Sequence, residues 1–201
     1  MSISDAARRD GRAKNKSAQS PALPPTTSRR ALLAGGSDRR FRTLVHDLLT
    51  VSTRMELVRG HLGARMGVSG PQYSVLVAVA HLQGERGVSV SAVAHALHVS
   101  SAFVASETGR LARRGLIAKR VNPHDRRGVL LRIAPAGRLA IGRIGEEICA
   151  INDLFFGALD RNAFAAFAAS VAALVNGSRR AIHYIEAGEG ASRAALLAAA
   201  E

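Results

Sequence analysis

Basic side chains are concentrated in one short part of the chain, and their type and spacing suit the binding of anions. Residues 110–138 contain nine basic side chains against one acid, Asp125, a net charge of +8 in a chain whose total is +13. The nine are Arg110, Arg113, Arg114, Lys119, Arg120, Arg126, Arg127, Arg132 and Arg138. Like charges this close repel one another unless a polyanion neutralises them, so this basic segment indicates binding to nucleic acid or to an anionic membrane.

Most of the remaining excess charge lies at the N-terminus. Residues 1–37 carry seven basic and two acidic side chains, or +5, whereas residues 38–109 carry +2 and residues 139–201 carry −2. Residues 1–37 are also rich in Ser, Pro and Ala, and they bury too little apolar surface to offset the entropy of ordering. We therefore expect a disordered basic tail.

The sequence lacks the residue patterns of an enzyme or a metal site. We find no Gly-rich phosphate loop, paired catalytic carboxylates or nucleophile–base pattern, so we predict that the protein is not an enzyme. The one cysteine, Cys149, excludes an internal disulfide, and beside Ile148 we expect it to be buried as a small hydrophobic residue. His95 and His98 are three residues apart, but no carboxylate or cysteine completes a metal-binding spacing. The sequence indicates neither a metal nor a cofactor.

Composition favours helices and gives no sign of export. Hydrophobic residues make up 47% of the chain, only 4% are aromatic, and Ala and Leu dominate, which favours a mainly α fold with a minor β part (α+β). Apolar stretches such as residues 73–82 are too short to span a bilayer. In "SRRALLAGGSDRR" the apolar part, Ala31 to Ala34, is too short for a twin-Arg export signal, so we expect a cytoplasmic protein.

A long amphipathic helix is predicted to open the folded domain, which we place at residues 38–185. Its apolar residues recur every three or four positions: Phe41, Leu44, Leu48, Val51, Met55, Val58, Leu62 and Met66. Asp38 is a candidate cap at its start and Gly67 a candidate stop. Residues 186–201 are rich in Gly and Ala and are predicted to form a weakly specified C-terminal tail.

Three further helices and a hairpin follow in the predicted order. Ser69, Ser89 and Ser100 are candidate caps of helices that end near Gln83, His98 and Arg114. On the third of these helices, Val104, Thr108 and Leu111 should form the buried face. Two alternating runs, 116–120 and 129–133, predict strands joined by a loop too long for a tight turn. Pro135 then begins a helix reaching Phe155, and Asp160 caps a last helix.

Helix, tight turn, helix and basic hairpin form the outline of a winged helix-turn-helix. The stretches "GPQYSVL", "VAHALHVSSAFVASETGRLARRGLI" and "NPHDRRGVLLRIAPAGR" occur in that order. Over residues 38–185 the chain resembles the MarR family of bacterial transcriptional regulators. The last stretch contains an Asp-x-Arg, Asp125 and Arg127, which is similar to the wing signature of that family.

The resemblance implies a homodimer on double-stranded DNA. Terminal helices, approximately residues 38–66 and 135–185, would pair across a two-fold axis, and a winged helix at approximately residues 71–134 of each subunit would contact DNA. The resemblance also implies that Arg127 enters the minor groove and that Asp125 holds it in position, in keeping with the attraction of arginine to a narrow A·T-rich groove. The expected operator is a pseudo-palindrome.

The predicted recognition helix departs from the family in its polar residues. Thr and Arg are common in the family around positions 103–106, where this chain has "FVAS", and Glu107 stands where an apolar residue is frequent. The side chains left as DNA-binding candidates, besides Asp125 and Arg127, are Ser100, Ser101, Ser106, Arg110, Arg113 and Arg126. With few side chains able to make paired hydrogen bonds to bases, phosphate contacts and DNA shape should carry more of the binding.

A small-molecule effector is a further implication of the resemblance. Many MarR-like proteins bind small aromatic acids in a crevice between the dimerisation helices and the winged helix. Arg54, His61 and Tyr73 are candidate ligand-binding residues for an aromatic or anionic effector, with surface or interface roles as the alternative.

Three functions follow from these observations. The first is a ligand-responsive transcriptional regulator, more often a repressor in this family, that binds its operator as a homodimer. The second is a basic architectural DNA-binding protein with little sequence specificity. The third, binding to an anionic membrane or an acidic partner, is disfavoured because the charge lies on a hairpin and not along one face of an amphipathic helix.

Overall fold

The computed structural model of the protein describes residues 24–123 and 125–187, with the side chains of residues 125–127 excepted. The chain divides into two compact units, residues 1–55 and residues 56–201. Helices dominate both units, and one small antiparallel sheet lies in the second. The mainly α, winged-helix fold expected from the sequence is thereby confirmed.

Residues 24–37 are ordered around one buried carboxylate. Asp38 is 6% exposed, and its Oδ2 accepts hydrogen bonds from the backbone N–H and the hydroxyl of Thr26, both at 2.7 Å. Its Oδ1 lies 2.7 Å from Arg42 Nη1. The hydrogen bonds from Thr26, followed by the charge of Arg42, lower the pKa of Asp38. Between Thr26 and Asp38 the chain forms a short 3₁₀-helix, Arg30–Leu32.

The predicted disorder of residues 1–37 is therefore wrong for residues 24–37, while residues 1–23 lie outside the described part of the chain. The segment contains few apolar residues, which is why composition predicted disorder, but a long-range carboxylate contact supplies what its own burial lacks. Asp38 also has a different role from the predicted helix cap, because both of its oxygens serve Thr26 and Arg42.

The long first helix is confirmed. Helix α1 runs over Arg39–Arg65, and Gly67 follows with φ +68°, a left-handed conformation that stops a helix and favours glycine. Within the first unit several of its apolar side chains remain exposed: Leu44, Val45, Leu49, Val51 and Met55. In the second unit Leu62 and Gly63 are buried.

The next three helices begin at the predicted caps. Helix α2 spans Gly70–Leu82, strand β1 Val88–Ser89, helix α3 Val90–Leu97 and helix α4 Ser101–Arg113. The hydroxyl of Ser69 accepts from the N–H of Gln72, and the side-chain oxygen of Gln72 accepts from the N–H of Ser69. Ser89 and Ser100 cap α3 and α4 in the same way through their hydroxyls. These hydroxyls satisfy N–H groups that have no partner inside the helix, which locates each helix start.

The hydrophobic core of the second unit lies between these helices and the sheet. Its fully buried side chains are Val75, Leu76, Val79, Val93, Val104, Thr108, Leu111 and Leu131. The predicted inner face of α4 is confirmed, since Val104, Thr108 and Leu111 are each 0% exposed. Thr108 keeps its hydroxyl satisfied by donating to the carbonyl of Ala105 at 3.2 Å.

The hairpin is longer than predicted and its loop is shorter. Strand β2 spans Ile117–Asn122 and strand β3 Asp125–Ile133, and the sheet order is β1-β3-β2. Because Asn122 is paired with Asp125, only residues 123 and 124 separate the strands, so the long loop was wrong. The sequence did not reveal the first part of β3, because the charged residues 125–127 and Gly128 lack the apolar alternation that marks a half-buried strand.

The C-terminal helices differ from the prediction at one point. Helix α5 spans Pro135–Arg143 and helix α6 Gly145–Phe156, so the predicted single helix is interrupted at Ile144, which has φ −110° and ψ 10° and is buried. Helix α7 spans Arg161–Glu186 and begins at the predicted cap, Asp160.

Cys149 is exposed, so its predicted burial was wrong: it lies on the solvent side of α6, next to a half-buried Ile148.

A membrane span was also tested on the described residues. No single helix there is both long and apolar enough to cross a bilayer, and α6 and α7 reach that threshold only as a pair bent by 90°.

Gly137 provides a test of how α5 is seated on the sheet. It is buried, and a Cβ placed on it would overlap the carbonyl oxygen of Leu116, which itself accepts from the N–H of Ala134 at 3.0 Å. We expect Gly137→Ala to lower the free energy of unfolding by about 1–3 kcal/mol, because either β2 or α5 must shift. The matched control is Gly142→Ala on the same helix, where the added methyl meets no described atom and should be neutral or stabilising. Urea denaturation of both variants measures the difference, and equal stabilities would contradict this packing.

Candidate nucleic-acid interface

The turn between α3 and α4 is built by an unusual backbone conformation. His98 has φ +54° and ψ 40°, a left-handed conformation uncommon outside glycine, and it ends α3. Val99 then donates its N–H to the carbonyl of Ala94 at 3.0 Å, and Ser100 caps α4. Three residues thus reverse the chain, as a helix-turn-helix requires.

A side chain from α7 reaches this turn. Arg179 Nη2 lies 2.9 Å from Nδ1 of His98. A guanidinium can only donate hydrogen bonds, so Nδ1 must be the acceptor and must carry no proton. The contact therefore requires a neutral His98 whose proton is on Nε2.

The exposed face of α4 carries few uncharged polar side chains, and those are short. Ser101 and Ser106 are exposed on it, whereas the hydroxyl of Ser100 is engaged in capping, 3.1 Å from the N–H of Phe103. A Cβ built on Gly109 would lie 3.9 Å from Nζ of Lys119, so this ammonium group stands beside the helix. The sequence included Lys119 in the basic segment, but only the pairing of Lys119 with Leu131 shows that it faces α4.

Two of the arginines predicted as part of the basic segment have structural partners. Arg110 Nη1 lies 2.9 Å from Oε1 of Glu107, a carboxylate that is 6% exposed. The other oxygen of Glu107 is buried and has no partner among the described residues. Arg114 donates to the carbonyl oxygen of Gly67, which ties the end of α4 to the turn after α1. Arg113 is exposed at the C-terminal end of α4.

The wing residues lie next to the hairpin turn. Asp125, Arg126 and Arg127 begin β3, directly after the two-residue loop. Their side chains lie outside the described part of the structure, so the roles of Asp125, Arg126 and Arg127 at DNA stay predictions.

The predicted ligand-binding residues have separate surroundings. Tyr73 is buried in the core, and burial raises the pKa of its hydroxyl. His61 Nε2 lies 2.7 Å from Oε1 of Glu147, and Arg65 Nε lies 2.9 Å from Oε2 of the same carboxylate. These hydrogen bonds, that of His61 first, lower the pKa of Glu147. Arg54 is exposed and belongs to the first unit.

A cleft of about 410 Å³ between α2 and the start of α4 was not predicted from the sequence. We call it the α2–α4 cleft, and its lining includes Glu56, Arg59, Pro71, Ser74, Leu97 and Phe103. Arg59 Nη1 pairs with Glu56 at 2.6 Å, while its Nε is buried without a described partner. A cleft with apolar walls and one guanidinium group suits an organic acid. The residues are scattered over four elements, so no local sequence signal marks them.

The helix-turn-helix, with a basic hairpin directly behind its second helix, defines a winged helix-turn-helix of the kind that binds DNA. Residues 66–128 match the model of the MarR family. This match covers the winged helix-turn-helix, and the chain shares the fold of MarR-family transcription regulators over a larger part of its length.

Solved structures of several regulators are similar to this chain. PcaV from Streptomyces coelicolor, in complex with its natural ligand, is 27% identical, with 63% of this chain and 90% of PcaV covered and a TM-score of 0.51. BpsR from Bordetella bronchiseptica, whose DNA binding is regulated by 6-hydroxynicotinic acid, is 24% identical, with coverages of 66% and 98% and a TM-score of 0.54. MepR from S. aureus, in complex with DNA, is 14% identical, with coverages of 66% and 96% and a TM-score of 0.58. No curated protein sequence matches the chain.

The pair of Arg110 and Glu107 can be tested by stability. We expect Arg110→Ala to lower the free energy of unfolding by about 1–3 kcal/mol, because it leaves the buried Glu107 carboxylate without its partner. In a Glu107→Leu background the same change should cost much less, since no buried charge remains. Arg113→Ala, an exposed arginine on the same helix, is the control and should change stability by less than about 0.5 kcal/mol. Chemical denaturation of these variants and the wild type gives a double-mutant cycle. Additive changes in the free energy of unfolding would show that the pair does not contribute to stability.

Proposed function

We propose that the protein is a repressor that binds a pseudo-palindromic operator as a homodimer in the cytoplasm and is released from it by a small effector. The observation that carries the DNA-binding part is the placement of the basic segment: α4 presents its exposed face next to Lys119, and the hairpin tip with its two arginines follows. Positive charge on a helix and on an adjacent hairpin matches a major groove and its flanking phosphates.

The support for a homodimer comes from apolar surface that each unit leaves exposed. On α7 the side chains of Phe164, Phe167, Leu174, Ile182 and Ile185 are between 42% and 70% exposed. A row of large apolar side chains of this kind marks an interface, because exposing it to water is costly. In the first unit, the exposed apolar side chains of α1 give the same indication. A two-fold dimer presents two copies of α4 and so requires a site with two half-sites.

On DNA we assign the contacts by chemistry. Ser101, Ser106 and Lys119 would meet the groove edges, whereas the N-terminal N–H groups of α4 after Ser100 would meet a phosphate. Arg113 and Arg126 would contact phosphates. Arg127 would enter the minor groove and Asp125 would orient it. Arg110 would contact DNA either with its remaining N–H groups, while it stays paired with Glu107, or after it has left Glu107.

The wing arginine gives the sharpest test of this assignment. We expect Arg127→Ala to weaken binding to an operator fragment by about 1–3 kcal/mol while leaving the dimer intact in analytical ultracentrifugation. Arg161→Ala, the loss of an arginine at the start of α7, is the control and should bind as the wild type. Fluorescence anisotropy at several salt concentrations measures both. If Arg127→Ala binds the operator with unchanged affinity, Arg127 does not contact the DNA as proposed.

The second candidate is an architectural DNA-binding protein with little sequence choice. It is favoured by the polar side chains in the first part of the exposed face of α4, where Ser101 and Ser106 offer only short hydroxyl groups. The same anisotropy titration separates the regulator from the architectural protein when it is run with a fragment of the promoter next to this protein's gene and with random DNA. A regulator should prefer the promoter by about 10³-fold or more, and a ratio near one would favour the architectural protein.

The effector is proposed to be an aromatic acid in the α2–α4 cleft. The guanidinium group of Arg59 would pair with its carboxylate, and Leu97 and Phe103 would contact its ring. The cleft borders the N-terminal part of α4, so a ligand there changes the surroundings of the DNA-reading helix. BpsR, whose DNA binding is regulated by 6-hydroxynicotinic acid, supports the ligand class by similarity, and PcaV, solved with its natural ligand, supports the binding of an effector.

Ligand binding can be measured without DNA. We expect calorimetry to show saturable binding of 6-hydroxynicotinate and no binding of benzamide, an uncharged aromatic amide. Arg59→Gln should weaken the binding of 6-hydroxynicotinate by about tenfold, as loss of a charged hydrogen bond does. Glu56→Gln is the matched control and should preserve or strengthen binding. Weakening by His61→Ala, with Arg59→Gln unchanged, would instead move the ligand to the set predicted from the sequence, Arg54, His61 and Tyr73.

A further inference from the structure

The three-stranded sheet has two faces, and only one of them is turned to α4. Leu131 is fully buried and is paired with Lys119, which stands beside α4. Side chains alternate between the faces of a strand, so Leu130 and Arg132 point the other way. Arg120 is paired with Leu130 and shares that outer face. Two arginines of the basic segment are thus directed away from the recognition helix.

A cleft of about 540 Å³ lies on this outer face, and we call it the wing cleft. Its lining includes Glu85, Arg86, Arg120, Val121, Leu130 and Arg132. Three guanidinium groups against one carboxylate leave the cleft with a net charge of +2. A concave surface of one sign concentrates field lines and attracts a counter-charge more strongly than a flat surface does.

The wall that carries Arg86 is held firmly against β3. Gln83 is buried, and its Oε1 accepts from the N–H of Ile133 at 2.8 Å. Gly87 has φ +100°, and a Cβ built on it would lie 3.0 Å from the carbonyl oxygen of Leu131. Only glycine permits this close approach without strain. The loop therefore places Arg86 at the cleft through backbone contacts, without help from the ligand.

The three guanidinium groups are available to a ligand. The guanidinium groups of Arg42, Arg59 and Arg110 have carboxylate partners, whereas within the described part of the chain those of Arg86, Arg120 and Arg132 make no ion pair or hydrogen bond. Guanidinium groups bind phosphate and carboxylate oxygens through paired, charge-assisted hydrogen bonds. Leu130, on the same face as Arg120 and Arg132, provides apolar surface beside them, as small-molecule sites do.

We propose that the wing cleft binds a small organic anion that carries at least two negative charges, on phosphate or carboxylate groups, beside an apolar or planar body. The size of the cleft falls in the range of sites for small molecules, about 300–1,000 Å³. Its position on the face opposite α4 separates it from the groove-reading surface and from the α2–α4 cleft. The proposal goes beyond the function proposed above, because it concerns a second small-molecule site on a different surface.

The experiment uses the full chain without DNA. Calorimetric titrations are made with ADP as the phosphate probe, isophthalate as the dicarboxylate probe and adenosine as the uncharged probe. We expect saturable binding of at least one charged probe and none of adenosine, and the probe that binds identifies the anionic group. No saturable binding of either charged probe at roughly millimolar concentration would overturn the proposal.

Variants then locate the site. Arg120→Gln and Arg132→Gln should each weaken binding by about tenfold or more, since each removes charged hydrogen bonds to the ligand. Arg138→Gln removes the same charge from an exposed position on α5 and should leave binding unchanged. Glu85→Gln removes the one repelling charge and should strengthen binding. Circular dichroism verifies that each variant is folded.

Two further results would contradict the proposal. Equal weakening by Arg138→Gln and by the cleft variants would mean that the probes respond to net charge and not to a site. Weakened binding to duplex DNA by Arg120→Gln and Arg132→Gln, without any binding of the small probes, would assign these arginines to the DNA backbone.

Discussion

The pairing of β3 with both neighbouring strands decides where this protein presents its charge. With Leu131 buried against the helices, the alternation of β2 and β3 sends Lys119 towards α4 and sends Arg120 and Arg132 to the opposite side. A shift of one residue would bury an arginine and expose Leu131, which the core does not tolerate. One buried leucine therefore divides the basic segment between two opposite faces of the sheet.

The helix starts could be predicted because their signals are local. Ser69, Ser89 and Ser100 each precede an apolar periodicity, and each capping hydroxyl accepts from a backbone N–H only three residues further along the chain. The ordered segment before α1 could not be predicted, because it depends on Thr26 reaching a carboxylate twelve residues away. The first part of β3 was missed for a related reason: a strand beyond the core is specified by pairing and not by its own pattern.

The candidate site shows the same division. Composition was sufficient to locate the basic segment, yet it could not separate its members, since an arginine that binds a buried glutamate and one that is free look alike in sequence. Arg110 and Arg114 have partners in the fold, whereas Lys119 and Arg120 acquire their roles only through the strand register. The two clefts are assembled from distant elements, so they appear only when the chain is folded.

The contact of His98 with Arg179 joins residues 81 positions apart. Synthesis proceeds from the N-terminus, and domains form as their residues emerge, so α3 and α4 leave the ribosome well before the arginine that meets their turn. Contacts of such long sequence separation form late, because the intervening chain must first be ordered. The turn between α3 and α4 therefore receives this side-chain partner from α7, the last helix among the described residues. A nascent or truncated chain that ends before residue 179 has the recognition helix but lacks this contact.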